Sequence, residues 1–113
     1  MVQIPLQPLR IPAGWDVSYN GLFEIDPLPE LFPDRIPSDL FKEDMLQMNN
    51  DRADRLLDVG WYPDGDLVDG NYCVVVYEGD FSGRLIYELI TRDRLELVAT
   101  IERLLSEICH GKL

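Results

Sequence analysis

Asp58, Asp64, Asp66, Asp69, Glu78 and Asp80 bring six carboxylates between positions 58 and 80, and they are the first candidates for chemistry in this chain. Carboxylates in such density can bind a hard cation, share acid–base work, or present negative charge to a partner. The turn Asp64-Gly65-Asp66-Leu67-Val68-Asp69-Gly70 invites the first reading. It fails on spacing for a helix–loop–helix calcium site. That loop needs oxygen ligands at positions one, three and five with Gly at six, and Val68 stands at position five. A glycosidase-type pair needs two acids facing each other across a cleft, and spacing alone selects none.

Other reactive groups are few. His110 is the only histidine, and it falls at the end of a helical stretch, where a structural or surface role fits it. No CxxC or HExxH spacing is present, so no metal site is expected. Ser18, Ser38, Ser82 and Ser106 lie outside any GxSxG elbow, and no glycine-rich phosphate loop occurs. Cys73 sits in an apolar strand, where thiols usually pack, and Cys109 lies near a helix end. No cofactor and no enzymatic activity are expected.

Charge points the same way. The formal net charge is −11, which disfavours nucleic acid and anionic membrane as partners, since both reward Lys and Arg. Residues 16–80 hold 16 acids against 4 bases, a net of −12, whereas the remainder holds 5 acids against 6 bases, a net of +1. One stretch therefore carries the whole imbalance. It serves solubility, or it speeds encounter with a basic partner to about 10⁸ M⁻¹s⁻¹ or more at low salt.

The elements that must position these groups are legible in part. With 113 residues and 46% hydrophobic composition, a single domain spanning 1–113 is expected. Residues 1–13 form an extended arm, because Pro5, Pro8 and Pro12 deny ladder bonds. Gly14–Asp26 reads as a hairpin turning at Asn20-Gly21. Leu31, Phe32 and Ile36 would pin the proline-rich stretch that follows. Ser38 would cap a helix running from Asp39 to about Asn49, with Leu40, Phe41, Met45 and Met48 inward. Whether Asp51–Arg55 extends that helix stays open.

The central stretch, Leu56–Glu78, reads as two strands. Leu57, Val59 and Trp61 share one face, with Asp58, Gly60 and Tyr62 on the other. Tyr72–Tyr77 reads as a strand buried on both faces. Arg84–Thr91 is a further strand. Asp93–His110 puts Leu97, Ile101, Leu104, Leu105 and Ile108 on one helical stripe, with Gly111 as the stop. The expected fold is α+β: an antiparallel sheet with two helices, order β-β-α-β-β-β-α, in a two-layer sandwich. Trp15 and Trp61 suit a core, while Tyr62 suits an interface anchor.

Gly14-Trp15, Asn20, Phe23 and Asp26-Pro27, followed by Asp58-Val59-Gly60-Trp61-Tyr62-Pro63, Gly65 and Tyr72, resemble small bacterial immunity proteins. Such proteins are encoded beside polymorphic toxins of the contact-dependent inhibition, Rhs and wall-associated types. The resemblance spans Gly14 to the C-terminal helix. It rests on turn and core residues, so no functional residue carries over. It implies a cytoplasmic protein that binds and blocks one cognate toxin domain, often a nuclease. A basic toxin domain is then the expected partner, with Asp58, Tyr62, Asp64, Asp66, Asp69, Glu78 and Asp80 as the expected contact set. The runner-up is an acidic adaptor or regulatory module for some other basic protein, and a carboxylate-dependent hydrolase comes third. No N-terminal apolar run follows a basic start, and no stretch has the roughly 20 apolar residues that span a bilayer, so a cytosolic location is expected on sequence grounds too.

Overall fold

The computed structural model describes residues 3–33 and 37–113. Among the described residues, five strands are hydrogen-bonded in sequence order: β1 Asp16–Asn20, β2 Leu46–Asn50, β3 Arg55–Tyr62, β4 Asn71–Glu78 and β5 Leu85–Thr91. Every neighbouring pair is antiparallel. One α-helix among the described residues, α1 Arg94–Cys109, follows β5. No helix among the described residues is long and apolar enough to cross a membrane.

The expected two helices and the order β-β-α-β-β-β-α are corrected by this architecture. Asp39–Asn49 is not helical. A 3₁₀ turn, Pro37–Asp39, ends at its first residue, and β2 begins at Leu46. Leu40, Phe41, Met45 and Met48 are all buried, but from an irregular segment and a strand. Within β2, burial alternates: Leu46, Met48 and Asn50 are buried, and Gln47 and Asn49 are half-buried. Tertiary pairing overrides the helical spacing here. As a strand, the segment sets Leu46 opposite Val59 and Met48 opposite Leu57, and so pairs backbone that β3 would otherwise expose.

The hairpin expected at Asn20-Gly21 is likewise replaced. β1 pairs with β2, not with residues 22–26. Asn20 Oδ1 accepts from the Leu22 N–H at 3.1 Å, so the chain turns out of the sheet there. Leu22 is fully buried. Its carbonyl accepts from the Gln7 N–H, and Leu6 bridges Phe23, so this stretch pairs with the N-terminal arm. Phe32 is buried, whereas Leu31 is 44% exposed and does not pin its segment. Ile36 lies outside the described residues.

One face of the sheet carries the core. Leu57, Val59 and Trp61 share it, as their alternation predicts, and pair with Val76, Val74 and Tyr72. α1 lies over this face with Leu97, Ile101, Leu104, Leu105 and Ile108 buried, each worth about 2 kcal/mol of gross burial. Asp93 begins the helix by accepting from the Leu95 and Glu96 N–H groups, and Gly111 ends it at φ +70°. Trp15 is buried, and its indole N–H donates to the Leu105 carbonyl at 3.2 Å. Phe41 and Tyr72 meet Trp61 edge-on, with ring centroids 5.0 and 4.9 Å away.

β4 is not buried on both faces. Tyr72, Val74 and Val76 are buried, while Asn71, Cys73, Val75 and Tyr77 are half-buried on the opposite side. Among the described residues, no helix packs on that side. The sheet therefore has one covered face and one open face.

Candidate functional site

The open face is defined by register. Residues directly opposite in antiparallel strands share a face. Tyr19 pairs with Gln47, Gln47 with Asp58, Asp58 with Val75, and Val75 with Glu88. These five residues form one row that crosses all five strands. A second row runs Gly60, Cys73, Ile90, and Tyr62 stands beyond it opposite Asn71. On the other side of the central row lie Leu56, Tyr77 and Leu85. A bulge at each edge, in β1 between Val17 and Tyr19 and in β5 between Leu85 and Tyr87, keeps these registers in phase.

At the centre sits Asp58, only 7% exposed. The Tyr19 hydroxyl lies 3.4 Å from Asp58 Oδ1 and 3.4 Å from Asp44 Oδ1. Burial pushes the Asp58 carboxyl above its ordinary value, and the Asp44 charge adds to this. The bonds from Tyr19 and Gln47 work the other way. Burial likewise raises the Tyr19 phenol, and the two aspartates reinforce it. Tyr62 is raised by burial first, then by Asp58, Cys73, Glu43 and Asp44. The Cys73 thiol is raised by burial and by Glu88 and Asp58, which makes it a poor nucleophile. Its sulfur lies 4.0 Å from Glu88 Oε2.

Gly60 makes this geometry fit. A Cβ built there would stand 2.1 Å from the Glu43 carbonyl oxygen and 2.8 Å from the Tyr62 ring. Residues 42–45 thus cross directly over Gly60. They are held by the Trp61 N–H to the Lys42 carbonyl at 2.7 Å and the Met45 N–H to the Val59 carbonyl at 3.0 Å. That crossing delivers Asp44 to the Tyr19 hydroxyl. The Tyr62 hydroxyl donates to the Glu43 carbonyl at 3.3 Å.

Around the acidic row the face is apolar and exposed. Tyr62, Leu85 and Ile90 are exposed, with Ile90 at 59%. Phe81 is exposed too and packs edge-on against Tyr77, ring centroids 5.5 Å apart. Aromatic and aliphatic side chains thus lie exposed around a charged centre.

The residues singled out from sequence do not all meet here. Asp58 and Tyr62 lie on the open face. Asp64, Asp66 and Asp69 lie in the loop after β3, at one end of the sheet. Glu78 and Asp80 lie at the β4–β5 turn, at the other end, roughly 23 Å away along β4. A single patch of all seven is therefore not formed.

Several of these acids have local structural partners. Asp66 Oδ1 accepts from the Val68 and Asp69 N–H groups at 3.0 Å each, shaping its own loop. Asp64 accepts from the Glu43 N–H at 3.4 Å. Asp80 accepts from the Ser82 N–H and hydroxyl, which lowers its carboxyl. Glu78 pairs with Arg84 at 3.4 Å.

Tyr19, Asp44 and Glu88 belong to the site and were not singled out from sequence. Each lies on a different segment, and only the strand register unites them. Among the described residues no three His, Cys, Asp or Glu side chains converge as metal ligands. Comparison with protein-family models, with curated proteins and with solved structures finds no match for this chain.

Proposed function

We propose that this chain is an immunity-type binding protein: it captures a basic bacterial toxin domain, of nuclease type, on the open face of its sheet, and acts by binding alone. One observation carries the reading. Asp44 and Asp58 share a single hydroxyl donor at 3.4 Å on the sheet face opposite α1. A phenol has one proton to give, so at least one carboxylate lacks that donor at any moment. Both distances also exceed the usual 2.5–3.0 Å of an O–H···O bond. A guanidinium or ammonium group from a partner would supply what Tyr19 cannot. Charge-assisted bonds of that kind are roughly twice as strong as neutral ones.

The surroundings support the same reading. Tyr62 and Ile90 flank the acidic row and would exclude water from the ion pairs. The overall charge of −11 would steer a cationic domain toward the surface before contact. A nuclease domain holds cations where phosphates bind, and carboxylates on a rigid sheet suit those positions. In a cell, this reading places the protein in the cytoplasm with its toxin.

The test is co-expression. The C-terminal domain encoded by the reading frame immediately upstream is induced with and without this chain. Protection of growth, with a stable complex of the two purified proteins, is expected. No protection together with tight binding to a different basic protein would favour the adaptor reading and refute immunity.

A further inference from the structure

Two strands end the sheet, and their outer edges differ. β1 is five residues long, begins with Asp16, and is broken by its bulge between Val17 and Tyr19. Bulges and charges are how proteins blunt an edge against pairing. β5 is longer and more apolar, Leu85–Thr91, with Glu88 its only charge. Its bulge falls at Ile86, near its start. From Tyr87 to Thr91 it is in unbroken register with Tyr72–Val76. Among the described residues, the bonds outside regular strand pairing include none to the β5 backbone. Alternate N–H and C=O groups of an edge strand point away from the sheet, so β5 offers a free ladder. Ile90, within this strand, is exposed.

We propose that the outer edge of β5 accepts an extended, basic segment of the toxin domain as a sixth, hydrogen-bonded strand; this rests on the binding function argued above. Main-chain bonds would give affinity, and the side chain opposite Glu88 would give selectivity. Glu88 is the midpoint of β5 and stands on the open face at the end of the acidic row. A Lys or Arg opposite it forms a cross-strand ion pair.

The same residue argues against a second copy of this chain as occupant. A two-fold pairing of β5 with its own copy over its full length sets Glu88 against Glu88. Like charges directly opposed are unfavourable, and each copy brings a further charge of −11. Glu88 thus guards the edge against self-pairing while leaving it open to a cationic strand.

Backbone amide exchange tests this without any variant. Exchange across residues 87–91 is measured by NMR on the free chain and on its complex with the upstream-encoded domain. Expected is at least about 100-fold slowing at every second residue, because only alternate amides face outward. A complex in which the outward amides of β5 exchange as in the free chain overturns the edge proposal and leaves binding by the face intact. Slowing without alternation indicates coverage of the face and also overturns it. Absence of any complex overturns both. A free chain that sediments as a dimer with those amides already protected assigns the edge to a second copy and overturns the proposal.

Discussion

The hydroxyl of Tyr19, on β1, reaches across β2 to lie 3.4 Å from Asp58 Oδ1, on β3. Adjacent strands are about 4.8 Å apart, so the phenol spans the gap that Gln47 occupies between them. Asp44 comes to the same hydroxyl from a different segment. Three acidic or phenolic groups therefore converge on one point of the face opposite α1. A buried carboxyl beside another carboxylate is unfavourable for the isolated fold, and such strain concentrates where a surface is shaped for something else.

Asp58→Asn is expected to stabilise the free protein. The folded chain holds the Asp58 proton more tightly than the unfolded chain, because burial raises this carboxyl above its ordinary 3.8. Its contribution is full below the unfolded value and is lost as pH rises through the folded value. Wild type should thus lose stability across that window, and the variant should lose less. At pH 7 the gain is about 1 kcal/mol. Urea denaturation at a series of pH values checks this. A difference between variant and wild type that does not grow with pH would refute it.

Gly60→Ala is expected to destabilise by about 3 kcal/mol, because the new methyl group meets the Glu43 carbonyl at 2.1 Å. The obstacle is backbone, so no side-chain rotation relieves it. Chemical denaturation measures the loss. The Tyr19–Asp44 contact should fail with it, readable as a downward shift of the Tyr19 phenol in a spectroscopic titration. A variant as stable as wild type would show that residues 42–45 do not cross β3 here.

Arg92 holds the loop after β3 in place. Its guanidinium donates to the carbonyls of Leu67, Gly70 and Pro27 and stacks over Trp61, 5.4 Å from the ring centroid. Arg92→Ala is expected to cost about 3 kcal/mol. Arg92→Lys should restore little of it, since an ammonium group lacks the planar fork and the stacking face. Thermal denaturation of both variants measures this. Full recovery by Lys would mean that charge alone, and not the fork, organises the loop.

How far the sequence discloses this structure depends on the range of the interactions. α1 is legible because its stripe and its Gly111 stop are both local. β3, β4 and β5 are legible from β-branched and aromatic runs bounded by Pro, Gly and Asp. β2 is not, because Leu40, Phe41, Met45 and Met48 mimic a helical face, while the decisive partner, β3, lies further along the chain. Asn20 and Gly21 both lack the positive φ a two-residue hairpin needs, and the strand that pairs with β1 begins only at Leu46. Local turn chemistry carries no information about so distant a partner. The site divides in the same way. Asp58 and Tyr62 are visible from alternation within one strand. Tyr19, Asp44 and Glu88 join them only through registers between strands. The loop acids looked like one patch because they are close in sequence, yet β4 holds them apart.

The central claim is that the open face, and not net charge alone, binds the partner. The direct test compares two triple variants that remove the same charge: Asp44→Asn/Asp58→Asn/Glu88→Gln on the face, and Asp51→Asn/Asp69→Asn/Glu96→Gln at exposed positions off it. Affinity for the upstream-encoded domain is measured by calorimetry at physiological salt. The face triple is expected to raise Kd about 100-fold or more, as loss of desolvated ion pairs does, and the off-face triple less than about 5-fold. Equal weakening by the two triples would contradict the account.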